Sequence, residues 1–139
     1  KKLGEERVYL YGTREYLQPF VDVGATKDLR DLQIIGFGNN SRVIEQFAEH
    51  GWRLVEDNFK ISTEFQPAQL ELCKNHLGLM YLPEDIAKQE PRLKQAPESL
   101  FPMMQIPLWI VCHEELRTNL RVRRVFDRLA EEFAILDTP

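Results

Sequence analysis

An α/β fold is what this sequence predicts, and three stretches carry the prediction. Gln33 to Gly51 and Phe59 to Lys74 each read as a short apolar run, a polar loop and a helix, the β-α unit of a parallel sheet. Pro107 to Phe133, PLWIVCHEELRTNLRVRRVFDRLAEEF, joins an apolar run through a charged corner to a long amphipathic segment. With 139 residues, 43% of them hydrophobic and 10% aromatic, the chain is large enough for one compact core or two small lobes.

The elements follow in order. RVYLY, Arg7 to Tyr11, alternates as a strand, and Gly12-Thr13 lets the backbone turn. Arg14 to Leu17 makes one helical turn that Pro19 limits, and Thr26 caps a short helix, Lys27 to Leu32, with Leu29 and Leu32 inward. QIIGF, Gln33 to Phe37, is a buried strand, and Gly38-Asn39-Asn40-Ser41 leads into a helix from Arg42 to His50 that Gly51 stops. Phe59, Ile61 and Thr63 alternate as a strand, Glu64-Phe65-Gln66 is its exit loop, and Pro67 opens a helix to about Lys74. Glu84 to Leu93 is a short helix or turn, followed by a connector with Pro91, Pro97 and Pro102. A strand at Leu108 to Cys112 then leads to the last helix, capped by Asn119 or Thr118 and ended by Asp137-Thr138-Pro139. In that helix Val122, Val125, Phe126, Leu129, Phe133 and Leu136 share one face, which must be buried against something, while Arg121, Arg124, Asp127, Arg128, Glu131 and Glu132 share the other.

Loops at the carboxyl ends of neighbouring parallel strands lie on one edge of a sheet and present helix N-termini to a ligand. Asn39, Asn40 and Ser41 add side-chain donors there, and Glu64 to Gln66 falls on the same edge. The plainer reading makes Asn and Ser turn and cap residues, and Glu64 a solvated carboxylate. Gly36-Phe37-Gly38 is no dinucleotide fingerprint, since it has neither a third glycine nor an acidic residue placed for a ribose.

HLGLMYLP, His76 to Pro83, and LWIVCHEELRTNLRVRRVFDRL, Leu108 to Leu129, resemble LysR-type transcriptional regulators. That family reads G-x-G-[IV]-x-x-[LV]-P at the first place. Gly78, Leu79, Leu82 and Pro83 match, and His76 stands where the first glycine would be, so Asn75 is expected to supply the left-handed turn. At the second place the family has an LWLV-like strand, a His, an LR pair and an RVR-type helix opening; GTREYL, from Gly12, is similar to its SPxYL phrase. The resemblance covers essentially the whole chain and implies a type 2 periplasmic-binding-protein-like lobe, a three-layer αβα arrangement on a mixed, mostly parallel sheet, plus the C-terminal helix of the partner lobe. It implies a partial effector-binding domain: residues of about 9–110 form the second lobe between two hinge strands, 111–139 the hinge exit and final helix, with the winged helix-turn-helix and most of the first lobe absent. A small polar or anionic effector would bind in the interlobe cleft, with Gly12, Thr13, Phe37, Gly38, Asn39, Asn40, Ser41, Glu64, Phe65 and Gln66 as one wall. Tyr11, Gly12, Ile110, Val111 and Cys112 would form the hinge. DNA would be bound only through the absent N-terminal domain, and the full protein would be a homodimer or homotetramer.

Composition agrees with a sensor separate from its DNA contact: 18 Lys and Arg against 22 Asp and Glu give a net charge of −4, no basic surface for nucleic acid. Cys73 and Cys112 lie far apart with no metal-ligand spacing, which fits a reducing, cytoplasmic compartment and no metal or cofactor. No apolar run is long enough to cross a membrane, and the opening at Lys1 without Met reads as a fragment. Cys73 precedes His76 by three residues, a candidate nucleophile and base, but it sits in an apolar run with no strained elbow, so no catalytic residue is assigned. A solute-binding protein of a transporter and a ligand-free interaction module are the alternatives to the regulator.

Overall fold

The computed structural model describes residues 1–22 and 29–136. The predicted cap Thr26, the first part of the Lys27 to Leu32 helix and the Asp137-Thr138-Pro139 stop lie outside them; Arg30 and Asp31 form a turn. The chain divides into two units, Lys1–Arg7 with Gln105–Pro139, and Val8–Met104.

In the larger unit, 8–104, the elements follow the order expected of repeated β-α units. Strand β1, Lys2–Thr13, enters it at Val8 and is followed by helix α1, Arg14–Asp22. Helix α2 is Ser41–Glu49, α3 is Gln66–Lys74, strand β2 is Met80–Pro83, helix α4 is Glu84–Ala87 and strand β3 is Leu93–Gln95. β1 pairs antiparallel with β2, from Val8↔Pro83 to Tyr11↔Met80, and antiparallel with β3, from Tyr11↔Gln95 to Thr13↔Leu93. The QIIG segment lies beyond β2 and is held on both sides in parallel, by Ile34↔Leu79 and Gly36↔Ser62. Ile35 N–H donates to Leu79 O at 2.7 Å, and Thr63 N–H to Gly36 O at 3.0 Å.

Strand alternation sends neighbouring residues to opposite faces, and each face has its own core. Leu10, Ile34 and Leu79 pack with Leu17 of α1, Phe47 of α2, Trp52 and Phe101; Tyr11, Ile35 and Met80 pack with Cys73 of α3, Ala87 of α4 and Leu93. Helices therefore cover both faces of the sheet, a three-layer arrangement. Buried Asn58 ties the loops beneath it, its Nδ2 donating to Leu29 O at 2.7 Å and Leu32 O at 2.8 Å while its Oδ1 accepts from Val55 N–H at 2.8 Å.

Several local readings need correction. α1 continues through Pro19 to Asp22, because Tyr16, Leu17 and Phe20 keep one face on the core. Glu56–Phe59 is a 3-10 helix, so the alternating strand shrinks to a single bridge at Ser62. Left-handed backbone falls on His76 itself, with φ 64, while Asn75 has φ −100. The connector after α4 holds β3, a strand too short to leave a periodic signal.

In the smaller unit, strand β4, Met104–Trp109, pairs with β1, and helix α5 is Leu120–Leu136. The strand thus ends before Cys112, and the chain crosses between units at Arg7–Val8 and Met104–Gln105 rather than near residues 9 and 110. Pro107 sits inside β4, which among the described residues pairs only with β1 and so has an open edge where a missing N–H is tolerated. Asn119 caps α5 as expected, its Oδ1 accepting from Arg121 N–H at 3.0 Å and Val122 N–H at 3.4 Å. The apolar face of that helix is only partly covered: Val125, Leu129 and Phe133 are exposed among the described residues, whereas Ala130 is buried.

Candidate functional site

Strand direction decides which predicted residues share an edge. QIIG runs parallel to β2, and β1 runs against both, so the carboxyl end of the parallel strands coincides with Val8, where the chain enters the unit. Phe37, Gly38, Asn39, Asn40 and Ser41 stand on this edge, and Glu64, Phe65 and Gln66 stand beside them. Gly12 and Thr13 do not: they mark the far end of β1, opposite the carboxyl edge. Their placement in the effector wall is corrected accordingly, since an antiparallel β1 carries its last residues away from the loops that a parallel one would bring close. Gly12 is a packing position, where a Cβ would overlap the Leu79 side chain, and buried Thr13 places Oγ1 2.6 Å from His76 Nδ1.

The two loops on the carboxyl edge are tied to each other. Gly38 N–H donates to Ser62 Oγ at 3.1 Å, and buried Gln69 donates from Nε2 to Gly36 O at 2.9 Å. Gly38 turns with φ +83, and the Glu64 carboxylate folds over it, its Oε1 3.0 Å from where a Gly38 Cβ would stand. Asn39 Oδ1 accepts from Ser41 N–H at 2.9 Å, holding the start of α2 in an Asx turn.

Asn40 is the residue this geometry singles out. It is the N-cap of α2 but makes no side-chain cap bond, and it is only 9% exposed. Its Oδ1 is turned under the strand, 2.5 Å from the position of a Cβ on Gly36, with Ser62 Oγ on the other side at 3.0 Å. No described residue hydrogen-bonds its side chain, and no fully buried side-chain N or O lacks a partner, so solvent reaches the Asn40 amide. Phe37 and Phe65, on the same two loops, are 54% and 66% exposed. Sequence reading named these residues, but the burial of Asn40 and the role of Ser62 were not visible in it, because both depend on the Gly36↔Ser62 bridge.

The predicted hinge residues are divided: Tyr11 and Gly12 lie inside the larger unit, Ile110, Val111 and Cys112 inside the smaller. In the smaller unit these last three line an open groove of about 660 Å³ together with Arg117, Val122 and Phe126. Cys73 and His76 do not form a pair. Cys73 is buried, its Sγ donates to Tyr11 O at 3.4 Å, and burial pushes its thiol up to about 12, the reverse of an activated nucleophile. Among the described residues no His, Cys, Asp and Glu cluster could hold a metal ion, and no helix is long and apolar enough to cross a membrane.

Comparison with known proteins accounts for this architecture. The regulatory domain of CrgA, a LysR-type transcriptional regulator from Neisseria meningitidis, is similar over 96% of this chain and 68% of its own, with a TM-score of 0.71 and 20% identity. CrgA itself matches over 96% of this chain and 47% of its own, with a TM-score of 0.70 and 20% identity. The C-terminal domains of a LysR family protein from Agrobacterium tumefaciens str. C58 match over 98% and 65%, with a TM-score of 0.68 and 12% identity. The chain therefore spans about two thirds of these regulatory domains and about half of CrgA, and shares their type 2 periplasmic-binding-protein-like α/β fold. No curated protein matches significantly. The family model for the LysR substrate binding domain matches residues 1–134, and the chain belongs to that family.

Proposed function

We propose that this chain is the effector-sensing part of a LysR-type DNA-binding transcriptional regulator, and that a small polar effector binds at the carboxyl edge formed by the Gly38 and Glu64 loops. The observation that carries the reading is Asn40, a largely buried amide whose side chain has no hydrogen-bond partner among the described residues, at the start of a helix on the edge where parallel α/β sheets bind ligands. DNA contact is assigned to residues outside this chain, whose net charge of −4 offers no basic footprint. β1 and β4 carry the chain between the units and are the route by which binding would be felt; coupling requires different effector affinity in the two states. The assembled regulator is proposed to be a homodimer or homotetramer working in the cytoplasm.

A thermal-shift screen of the intact protein against small metabolites, with Asn40→Ala and Ser41→Ala alongside, tests this. A ligand at 100 times its Kd stabilises the folded state by about 2.7 kcal/mol, a shift of several degrees. A hit that Asn40→Ala weakens supports the edge; a hit that binds both substituted proteins as well as the parent removes it.

A further inference from the structure

Among the buried polar residues, Thr13 is held by His76 and Asn58 ties the loops beneath the sheet; Gln69 has no such structural task. It stands four residues before Cys73, on the same stripe of α3, and is 4% exposed, where an apolar side chain would be buried at no polar cost. Its Nε2 donates to Gly36 O at 2.9 Å, yet that carbonyl already accepts from Thr63 N–H at 3.0 Å. Its Oε1 bonds no described residue and is left to solvent. Folding stability gives no reason for an amide at this place.

The carboxyl edge gives one. Gly36 and Gly38 bracket Phe37, so the backbone entering the site is built from the residue type freest to turn. Gly36 N–H to Ile61 O at 2.9 Å, Thr63 N–H to Gly36 O and Gly38 N–H to Ser62 Oγ tie it to residues 61–63, the start of the neighbouring loop. Gln69 adds a tie from a helix, itself anchored through buried Cys73. Fixing the Gly36 peptide against α3 also fixes what lies on it, the Gly38 turn and the Asn40 amide.

We propose that Gln69 is a positioning residue of the carboxyl edge, holding the Gly36 peptide and the Gly38 turn in place in the ligand-free protein. This rests on the carboxyl-edge reading and names the residue that preorganises it.

The test is free of ligand and uses the intact ¹⁵N-labelled protein. Gln69→Met, close in volume and stranding no backbone group, is expected to keep or raise the urea midpoint. The Gly36 and Thr63 amides are expected to exchange with deuterium about tenfold faster and the Gly38 amide signal to move, while the Ile35 amide, bonded to Leu79 O, stays as protected as in the parent. A lowered midpoint with faster exchange at Ile35 as well as at Gly36 and Thr63 makes Gln69 an ordinary core residue and overturns the proposal. Unchanged exchange at Gly36 and Thr63 overturns it too. Either result leaves the edge to be judged by the thermal-shift screen, so the two readings fail separately.

Discussion

α2 and α3 end in the same hydrogen-bond pattern, and only one of them ends on glycine. After α2, Gly51 N–H donates to Ala48 O and Trp52 N–H to Phe47 O; after α3, His76 N–H donates to Cys73 O and Leu77 N–H to Leu72 O. Both are Schellman ends that need a left-handed residue, Gly51 at φ 79 and His76 at φ 64. A side chain in that region costs about 1–2 kcal/mol. What offsets it is the 2.6 Å hydrogen bond between His76 Nδ1 and Thr13 Oγ1, an oxygen that also accepts from Tyr16 N–H at 3.4 Å. A hydrogen bond of this kind contributes about 1 kcal/mol, and more when its loss leaves a buried hydroxyl short of a partner. His76→Gly should therefore change stability by less than about 1 kcal/mol in the natural chain, strain relief cancelling the lost bond. In a Thr13→Val background there is no bond to lose, and the same substitution should stabilise by about 1 kcal/mol. Urea denaturation followed by circular dichroism on the four chains of this cycle gives the coupling, expected at about 1–2 kcal/mol. If His76→Gly stabilises equally in both backgrounds, the Thr13 link contributes nothing and the reasoning fails.

Other expectations are as direct. Asn58→Ala removes three hydrogen bonds and strands the Val55 N–H, while Leu29 O keeps Leu32 N–H and Leu32 O keeps Gln33 Nε2; it should cost about 2–3 kcal/mol by the same denaturation assay. With native protein, a thiol reagent such as Ellman's should titrate exposed Cys112 quickly and buried Cys73 only after denaturation. Because Cys73 is raised to about 12 from an ordinary value near 9, the unfolded chain loses its proton first as pH climbs. Stability from this group is full below pH 9 and falls between about pH 9 and 12; Cys73→Ala should flatten that decline, leaving the part from Tyr81, whose phenol burial also pushes up. Gly36→Ala puts a Cβ 2.5 Å from Asn40 Oδ1 and should displace that amide, weakening ligand affinity about tenfold or more, read as about 1.4 kcal/mol less ligand-induced stabilisation in the thermal screen.

Local chemistry made the carboxyl edge legible. Glycine and asparagine before Ser41, and Pro67 just inside α3, mark the two helix starts without reference to anything distant. The capping role of Asn119 was legible for the same reason. What stayed hidden depends on pairing across long stretches of chain. Gly12 and Thr13 change edges because β1 runs antiparallel to β2, about seventy residues on, and nothing in YGT encodes that direction. His76 takes the glycine position itself because Thr13 supports it from another strand. β4 was placed too late because LWIVC is the more apolar run, whereas backbone pairing selects MQIPLW.

The claim that the effector sits at the carboxyl edge is tested most directly by mapping amide shifts of the ¹⁵N-labelled intact protein with whichever compound stabilises it in the thermal screen. The account predicts perturbations centred on residues 36–43 and 62–66. Shifts centred on Gly12, Thr13 and His76 at the opposite edge, or on Val111, Val122 and Phe126 in the smaller unit, would contradict it.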